Sequence, residues 1–437
     1  MYDLAVIGLG AAGLEAVQIA LKNNLKVIAF EKNEIGGSFL NSSSIPMNTI
    51  LHSSKFLKKV ENSSKIGINL FSKPGCNWQI MLDRKIEIVN KFNKLLNSYL
   101  SKNITLIKAE AELLINYDTI EIYADDNIYQ AKNIIISTGS IPNELSGLPF
   151  DNEFIIHAED LFKMPEIPKN VTIVGSGSVG LECAQILANL GAKVQLIEKE
   201  AKVAPCLDVE LQKRVEKFLK TSKIQTFNND FIVRVSNDQV FLKSGIAFDT
   251  NCILVATGRK SNPCKILING CAEPFIIKAE ADGTCEIDNL YLIGDAQSSD
   301  KSIASAIYQA KGVMAKILQT TVPEAKLVPS VIQITPPIAS IGLKEQDIDL
   351  FDGYEIKKIS LSSILKSWCD NDADGMVKVI IKDNLIVGAH VVSEMASEII
   401  SIFSILIDRK ITTTEIEDMI FPYPSYAQAI LEVIKSE

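Results

Sequence analysis

The sequence predicts an α/β protein with two Rossmann-like domains followed by a C-terminal α+β domain. Three observations lead to this fold class. A unit of strand, glycine triplet, helix and strand occurs twice, the residues after about 323 change to alternating apolar runs, and 437 residues suffice for two to three separate cores.

In the first copy of the repeated unit, residues 3–7, which are apolar after Asp3, lead into Gly8, Gly10 and Gly13. A helical stretch follows, and a second apolar run ends at Glu31. In this arrangement the first glycine makes a tight turn, the second lets a pyrophosphate approach the backbone, and the third lets the helix pack against the strand. The phosphates would then meet the free N–H groups and the positive dipole end of the helix.

The second copy has the same order of elements. Residues 171–174 lead into Gly175, Gly177 and Gly180, and the following strand ends at Glu198. In both copies the acid falls 18 residues after the third glycine, where it would accept hydrogen bonds from a ribose diol. A single triplet is a weak signal because glycines also make ordinary turns, but the repeated combination predicts two dinucleotide sites.

The tail of the chain is expected to form the α+β domain. Residues 377–381 and 385–392 are apolar runs typical of strands, and residues 396–408 form an amphipathic stretch typical of a helix. Earlier in the chain, residues 62–75 are polar and predict a surface connection, whereas the apolar period over 80–100 predicts a long helix.

Composition and charge limit the expected partners. The net charge of −9 and the pI near 5.2 argue against nucleic acid, and the lysines are interspersed with acids, so no basic patch for a membrane surface is expected. The chain begins directly with an apolar strand rather than a signal peptide, which predicts a cytoplasmic protein. The eight cysteines form no CxxC pair and no metal-ligand spacing with the three histidines, so we expect buried reduced thiols and no metal site.

The segment 36–46, GGSFLNSSSIP, resembles the active-site loop of the pyridine nucleotide-disulfide oxidoreductases, whose dihydrolipoamide dehydrogenase members read GGTCLNxxCIP. Phe39 and Ser44 occupy the positions of the two redox cysteines. Dithiol–disulfide exchange needs a thiolate nucleophile and a second sulfur, and neither residue provides them. We therefore predict a member of this family without dithiol chemistry, and disulfide reductase activity is not expected.

Three further segments extend the resemblance over nearly the whole chain. Residues 134–142 and 253–259 resemble the family's two ATG crossover segments, and residues 290–296 resemble its second flavin fingerprint, in which the aspartate bonds to the ribityl chain. The resemblance implies a homodimer whose domains are an FAD-binding domain over 1–142 and 262–322, an NAD(P)-binding domain over 143–261 and a C-terminal dimerisation domain over 323–437.

By this resemblance, two sets of residues bind the cofactors. The FAD set consists of Gly8, Gly10, Gly13, Glu31, Thr138, Gly139 and Asp295. The NAD set consists of Gly175, Gly177, Gly180 and Glu198. Glu198 is followed by Lys199 and Glu200, and two carboxylates would repel a 2′-phosphate unless Lys199 compensates, so NADH is the expected donor and NADP(H) is less expected.

The departures from the family pattern fall at positions of catalysis. Relatives carry a histidine base and a glutamate in an HPTxxE segment, and Tyr423 and Gln428 stand there in this chain. A phenol is mostly protonated at neutral pH and an amide cannot stabilise a cation as a carboxylate does, so this pair is not expected to deprotonate a thiol. The flavin-proximal lysine of relatives falls at Asn48, while its ion-pair partner is retained as Glu182, which we expect to hydrogen-bond the Asn48 amide.

Two interpretations of Phe39, Ser44 and Tyr423 stay open. In the first, the three residues only fill the space of a pocket that has lost its function. In the second, Tyr423 or Ser44 orients a new acceptor at the flavin. For the whole chain we predict an FAD-dependent NAD(P)H oxidoreductase of the diaphorase or transhydrogenase kind, which passes hydride from NADH to FAD and on to a small-molecule electron acceptor such as a quinone, oxygen or another nicotinamide. The alternative is a catalytically inactive FAD/NAD-binding pseudoenzyme that acts as a sensor or partner subunit.

Overall fold

The computed structural model describes residues 1–116, 119–262, 264–268, 277–297, 300–322 and 327–436. Cys271 and the predicted start of the C-terminal domain at 323 lie outside these ranges. The helices, in chain order, are α1 (Ala11–Lys22), α2 (Gly37–Asn41), α3 (Ser44–Glu61), α4 (Trp78–Asn103), α5 (Ala158–Leu161), α6 (Ser178–Asn189), α7 (Val209–Thr221), α8 (Ile303–Ile317), α9 (Leu365–Cys369), α10 (Ala396–Asp408), α11 (Thr413–Glu417) and α12 (Gln428–Lys435).

The strands, in chain order, are β1 (Tyr2–Ile7), β2 (Val27–Phe30), β3 (Thr105–Ile107), β4 (Glu112–Asn116), β5 (Thr119–Ala124), β6 (Asn127–Tyr129), β7 (Ala131–Ile136), β8 (Ser140–Pro142), β9 (Ile155–His157), β10 (Asn170–Val174), β11 (Lys193–Glu198), β12 (Gln225–Asn228), β13 (Ile232–Ser236), β14 (Gln239–Leu242), β15 (Ala247–Asp249), β16 (Cys252–Val255), β17 (Arg259–Ser261), β18 (Ile266–Ile268), β19 (Leu290–Leu292), β20 (Ser330–Ile332), β21 (Ile338–Gly342), β22 (Tyr354–Ser360), β23 (Met376–Lys382) and β24 (Leu385–Val392).

The chain divides into two compact units. The first comprises Met1–Thr49, Gln79–Asn143 and Gly258–Ala325, and the second comprises Ile50–Trp78, Glu144–Thr257 and Lys326–Glu437. The three-domain division drawn from the sequence stays a prediction.

The first unit is built on a five-stranded parallel sheet in the order β19–β7–β1–β2–β3. Its central strands are apolar on both faces because both faces are covered, as in doubly wound folds. On one face α1 and α8 pack side by side, and on the other the four-stranded sheet β18–β4–β5–β6 closes a second core. The first glycine triplet therefore follows β1 directly and leads into α1.

The second unit contains the other copy of the repeated unit. Its parallel sheet has the order β12–β11–β10–β16–β9, and α6 follows β10 as α1 follows β1. The three-stranded antiparallel sheet β13–β14–β15 covers one face with an apolar core. The repeated sequence pattern thus forms two Rossmann-like sheets, as predicted.

The tail of the second unit is an antiparallel sheet in the order β20–β21–β24–β23–β22, and helices α10 and α12 pack on it. The amphipathic stretch 396–408 coincides with α10, and the long helix expected over 80–100 lies within α4. The predicted fold class, two Rossmann-like sheets and a C-terminal α+β domain, is confirmed.

A buried ionic cluster joins α7 to this antiparallel sheet. Lys378 of β23 is 1% exposed, and its ammonium group donates to both carboxylate oxygens of Asp208 at 2.8 Å and to Glu345. The Asp208 carboxylate also accepts the Glu210 N–H at 2.9 Å, so it caps the N-terminus of α7. His390 of β24 is fully buried beside them, with its Nε2 atom 3.6 Å from the Asp208 carboxylate.

Candidate functional site

The three glycines of the first triplet have three different environments. Gly8 has φ +94°, and a β-carbon there would lie 2.5 Å from the carbonyl oxygen of Ser137. A β-carbon on Gly13 would overlap the carbonyl oxygen of Gly8, so α1 can approach β1 only with glycine at this position. A β-carbon on Gly10 would instead meet no described atom within 4 Å. The triplet therefore leaves open space at its second glycine, where a bound pyrophosphate would lie.

This open space lies at the N-terminus of α1. Gly10 is the N-cap residue, no side chain in the described ranges caps the helix, and the first turn contains no acidic residue. The uncapped N–H groups and the helix dipole favour an anion at this end. The residues present thus fit the phosphates of a dinucleotide.

Glu31 is held rigidly beside the first triplet, at the end of β2. The side chain is buried, and one carboxylate oxygen accepts the Leu9 N–H at 2.7 Å while the other accepts the Asn33 N–H at 2.9 Å. Each carboxylate oxygen can accept a second hydrogen bond, so the geometry allows Glu31 to bind a ribose diol as well.

The second triplet repeats this geometry. Gly175 has φ +103°, a β-carbon there would lie 2.5 Å from the Ala256 carbonyl oxygen, and one on Gly180 would overlap the carbonyl oxygen of Gly175. A β-carbon on Gly177 would meet no described atom within 4 Å. Glu198 is buried, as Glu31 is. The two sequence copies therefore build two cradles of the same design.

The second cradle differs from the first at Ser176, which stands where the first has Leu9. The Ser176 N–H donates to Glu198 at 2.9 Å, as the Leu9 N–H donates to Glu31, but here the hydroxyl donates to the same carboxylate and accepts the Ala204 N–H at 2.8 Å. Ser176 is fully buried. Sequence reasoning missed this residue, although a polar residue between two glycines of a triplet was a signal.

The predicted flavin residues of the crossover lie together in the first unit. Strands β8 and β17 pair antiparallel, and the Thr138 hydroxyl donates to the Asn262 carbonyl oxygen at 2.6 Å. Gly139 has φ +76° in the turn before β8. The Ser140 hydroxyl donates to the Asp295 carboxylate at 2.6 Å, so the two segments that resemble the crossover and the second flavin fingerprint are in direct contact.

The turn that carries Asp295 lies against the first turn of α1. A β-carbon on Gly294 would lie 3.1 Å from the Ala12 β-carbon and 3.6 Å from the Ala306 β-carbon of α8. The structure therefore brings the first glycine triplet, Asp295 and the N-terminus of α8 to one end of the first unit.

The segment that resembles the active-site loop folds into helical turns. Phe39 lies in α2 and Ser44 is the first residue of α3, and both are half-buried.

Burial raises the pKa of the Cys252 and Cys264 thiols to about 12, which keeps them protonated. The cysteines within the described ranges are free thiols, namely Cys76, Cys183, Cys206, Cys252, Cys264, Cys285 and Cys369.

Asn48 and Glu182 each have a partner within their own unit. The Asn48 amide donates to the Ser44 carbonyl oxygen at 2.9 Å, and Glu182 accepts the Gln333 N–H at 2.8 Å. Burial raises the pKa of the Glu182 carboxyl to about 7, against the hydrogen bond from Gln333 and the charge of Lys55, which lower it. The expected hydrogen bond between Glu182 and Asn48 stays a prediction. Lys55, whose charge acts on Glu182, was missed by sequence reasoning. It lies seven residues after Asn48 on α3.

Tyr423 lies in the segment before the last helix, α12, and Gln428 is the first residue of that helix. Tyr423 is 68% exposed on the chain, whereas Gln428 is the half-buried first residue of α12. Tyr426, between them, is buried in the core of the antiparallel sheet. The chain alone thus presents the Tyr423 phenol to solvent, and its predicted role stays a prediction.

Within the described ranges no group of three histidine, cysteine, aspartate or glutamate side chains could hold a metal ion. Also within them, every helix is too short or too polar to span a membrane.

Two family models match nearly the whole chain. The model for pyridine nucleotide-disulphide oxidoreductase matches residues 2–310, and the model for the dimerisation domain of the same group matches residues 328–434. Among similar proteins, the dihydrolipoyl dehydrogenases of Mycoplasma genitalium and Bacillus subtilis are each 27% identical, and each comparison covers 99% of this chain and 98% of the relative. A soluble pyridine nucleotide transhydrogenase of Colwellia psychrerythraea is 26% identical over 98% of this chain and 96% of its own.

Two similar solved structures show the same fold. LpdA from Mycobacterium tuberculosis has a TM-score of 0.89 at 20% identity and covers 99% of both chains. The HOCl-induced flavoprotein disulfide reductase RclA from Escherichia coli, in its Cu(II) complex, has a TM-score of 0.83 at 22% identity and covers 99% of this chain and 98% of its own.

Proposed function

The chain belongs to the pyridine nucleotide-disulphide oxidoreductase family, and from this premise we propose that it is an FAD-dependent NAD(P)H oxidoreductase that has lost dithiol chemistry. In this proposal hydride passes from NADH to FAD and then to an acceptor other than a disulfide. The observation that carries the proposal is that the chain has a pair of equivalent dinucleotide cradles and also a loop in which Phe39 and Ser44 replace both redox cysteines.

The proposed loss of sulfur chemistry rests on what the reaction needs. A disulfide reductase requires a thiolate to attack and a second sulfur to resolve the mixed disulfide. A phenyl ring and a serine hydroxyl supply neither. The buried thiols of Cys252 and Cys264 cannot substitute for them, because their raised pKa keeps them protonated at neutral pH.

The chain's own residues supply binding and orientation. Bound FAD would be held by the set around Gly10, with Glu31 at the ribose and Asp295 at the ribityl chain, and it would supply the hydride-accepting chemistry. The nicotinamide nucleotide would bind the cradle around Gly177, with Glu198 at its ribose. Hydride transfer then requires only that the two rings be held in contact, which is a matter of positioning.

The remaining expectations fit this proposal. Relatives named dihydrolipoyl dehydrogenase and transhydrogenase align over almost all of the chain, and the transhydrogenase name offers a precedent for a nucleotide as the acceptor. We also propose a homodimer through the matched dimerisation region, a cytoplasmic location, and a small-molecule electron acceptor. In one of the two interpretations given above, Tyr423 or Ser44 orients that acceptor. In the other, both residues only fill the space of a pocket that has lost its function.

An anaerobic titration with NADH or dithionite tests the proposal. We expect the protein to take up two electrons per FAD, whereas a flavin with a working disulfide takes up four. Absorbance spectra recorded during the titration measure this directly. Uptake of four electrons, or a long-wavelength thiolate–flavin charge-transfer band that persists after partial reduction, would overturn the loss of dithiol chemistry. FAD that NADH cannot reduce would instead indicate the inactive sensor or partner subunit.

Replacement of Glu198 by arginine tests the proposed donor. Because the carboxylate would bind the ribose diol and repel a 2′-phosphate, we expect the ratio of kcat/KM for NADPH to that for NADH to rise by at least about tenfold, or ~1.4 kcal/mol. The exposed Glu166, which precedes the second copy of the repeated unit, gives the matched control, Glu166→Arg. Glu198→Gln tests the charge with less disturbance of the bonds to Ser176. Unchanged donor preference in both Glu198 variants would remove this residue from the ribose site.

A further inference from the structure

The two cradles differ in how their acids are held. In the first, the Glu31 carboxylate accepts two backbone N–H groups. In the second, Oε1 of Glu198 accepts the Glu200 N–H at 3.0 Å, and Oε2 accepts both the N–H and the hydroxyl of Ser176. Leu9, which stands in the place of Ser176 in the first cradle, has no hydroxyl to donate. The second acid therefore has one more donor, and that donor is a side chain.

The same hydroxyl also holds the segment that follows the acid. Ser176 Oγ accepts the Ala204 N–H at 2.8 Å, and the Ala204 carbonyl oxygen accepts the Leu207 N–H at 3.0 Å. Ala204 is buried with φ +50°, a left-handed conformation that residues with a side chain seldom adopt. Such a conformation persists only where the surrounding contacts fix it. The Ser176 hydroxyl thus links the acid at the end of β11 to a fixed turn five to six residues later in the chain.

These contacts hold the acid in one orientation. Ser176 is 0% exposed and Glu198 is 6% exposed, so water cannot readily replace a hydrogen bond that breaks between them. To rotate, the carboxylate would have to leave the Ser176 hydroxyl as well as two backbone N–H groups. Hydrogen bonds to an ionised group are stronger than those between neutral groups, which makes this rotation costly.

We propose that Ser176 is the positioning residue that enforces the choice of NADH over NADPH in the second cradle. This inference rests on the proposed function, in which the nicotinamide nucleotide binds there with its ribose at Glu198. A ribose diol donates hydrogen bonds to a carboxylate, whereas a 2′-phosphate is repelled by it. The repulsion is effective only while the carboxylate cannot turn away, and the Ser176 hydroxyl prevents that turn.

The charges beside the acid explain why its orientation matters. The Lys199 side chain is 79% exposed, and its ammonium group lies 3.8 Å from the Glu200 carboxylate. A 2′-phosphate at this end of β11 would therefore meet one cation and two carboxylates. With Glu198 fixed, negative charge prevails where the phosphate would lie. With Glu198 free to rotate, its charge moves away and Lys199 can pair with the phosphate.

The test compares Ser176→Ala with the original protein, both with bound FAD, by anaerobic stopped-flow reduction of the flavin with NADH and with NADPH. For each donor the measurement gives a limiting rate and a half-saturating concentration. We expect Ser176→Ala to lower the ratio of the NADPH to the NADH half-saturating concentration by about fivefold or more. The limiting rate with NADH should stay within about twofold, because the hydroxyl acts at the ribose and not at the nicotinamide ring.

Ser222→Ala, at the C-terminal end of α7 and outside the cradle, is the matched control and should leave the ratio unchanged. If Ser176→Ala does not fold, Ser176→Cys takes its place, because a thiol is similar in size and only a weak donor. If neither variant folds, the hydroxyl serves the fold and the inference is wrong.

Three further results would overturn the inference. They are an unchanged ratio in Ser176→Ala, an equal weakening of both donors, and an original protein that does not discriminate between NADH and NADPH. Failure of the proposed function looks different, because the original protein would then lack FAD or would be reduced by neither nucleotide.

Discussion

Replacement of Lys378 by methionine is expected to lower the free energy of unfolding by about 3–5 kcal/mol, because it leaves the Asp208 carboxylate buried without its cation. Asp208 and Lys378 are 0% and 1% exposed, so water cannot take over the lost hydrogen bonds. Calorimetry should show the transition of the second unit shifted down by roughly 10 °C, at ~2–4 °C per kcal/mol for a unit of this size.

The effect should depend on pH in a defined direction. Burial alone raises the pKa of the Asp208 carboxyl, but its hydrogen bonds, above all that from Lys378, hold the pKa below its usual range. In the original protein, the stability from this carboxylate is thus present above its unfolded-state pKa and is lost as the pH falls through the lower folded-state pKa. Without Lys378 the folded-state pKa should rise, so the difference between variant and original should shrink as the pH falls towards 4.

The control is Lys358→Met. Lys358 lies directly opposite Lys378 on the neighbouring strand β22, but it is exposed and makes only a 3.5 Å surface contact with Glu210. A surface pair of this kind contributes about 0–1 kcal/mol, so the two lysines should differ clearly. Equal transition temperatures for the two variants would contradict the stabilising role of the buried cluster.

Replacement of Gly10 by alanine is expected to yield folded protein that retains less than about a tenth of the normal FAD. A β-carbon at this position has no described neighbour within 4 Å, and φ is −76°, so alanine fits the chain itself. The same β-carbon would occupy the space needed by the pyrophosphate. The ratio of flavin absorbance to protein absorbance after purification measures the loss, and circular dichroism checks the fold.

Gly312→Ala provides the matched control for this substitution. Gly312 lies in α8, and a β-carbon there also meets nothing within 4 Å. Alanine in a helix interior should stabilise it by roughly 0.5–1 kcal/mol and leave the FAD content unchanged. If Gly10→Ala retains normal FAD, the pyrophosphate does not lie at the second glycine and the proposed cradle is wrong.

Much of the fold could be predicted from the sequence because the patterns that indicate its strands and helices are local. The glycine triplets with their flanking apolar strands predicted both parallel sheets, and the 396–408 stretch predicted α10 because its apolar residues follow the helical period. Backbone sterics also explain the glycines of the first triplet: Gly8 and Gly13 lie too close to neighbouring backbone for a β-carbon, and Gly10 faces open space. The binding of FAD at these residues stays a prediction.

The contacts that sequence reasoning missed are all long-range. Lys378 interrupts an apolar run, a pattern that favours an exposed lysine on a strand, yet it is buried because Asp208, 170 residues earlier, lies against it. The Ser176 hydroxyl gains its role only from Glu198 and Ala204, which the chain brings back to it. Lys301 likewise donates to the hydroxyl of Ser261, 40 residues earlier in the chain. Such pairings form only when the chain is folded, so a short stretch of sequence does not reveal them.

The likeness of the two cradles has a kinetic consequence. In the proposed function one holds a prosthetic group that stays through many turnovers, and the other holds a substrate that must be released in each. Triplet, helix end and acid are the same in both, so they cannot account for the difference in residence time. The difference in dissociation rate must therefore come from Ser176, where the two cradles differ, or from groups outside the repeat. The contact between the Ser140 turn and Asp295 is one such group, which would slow dissociation from the first cradle.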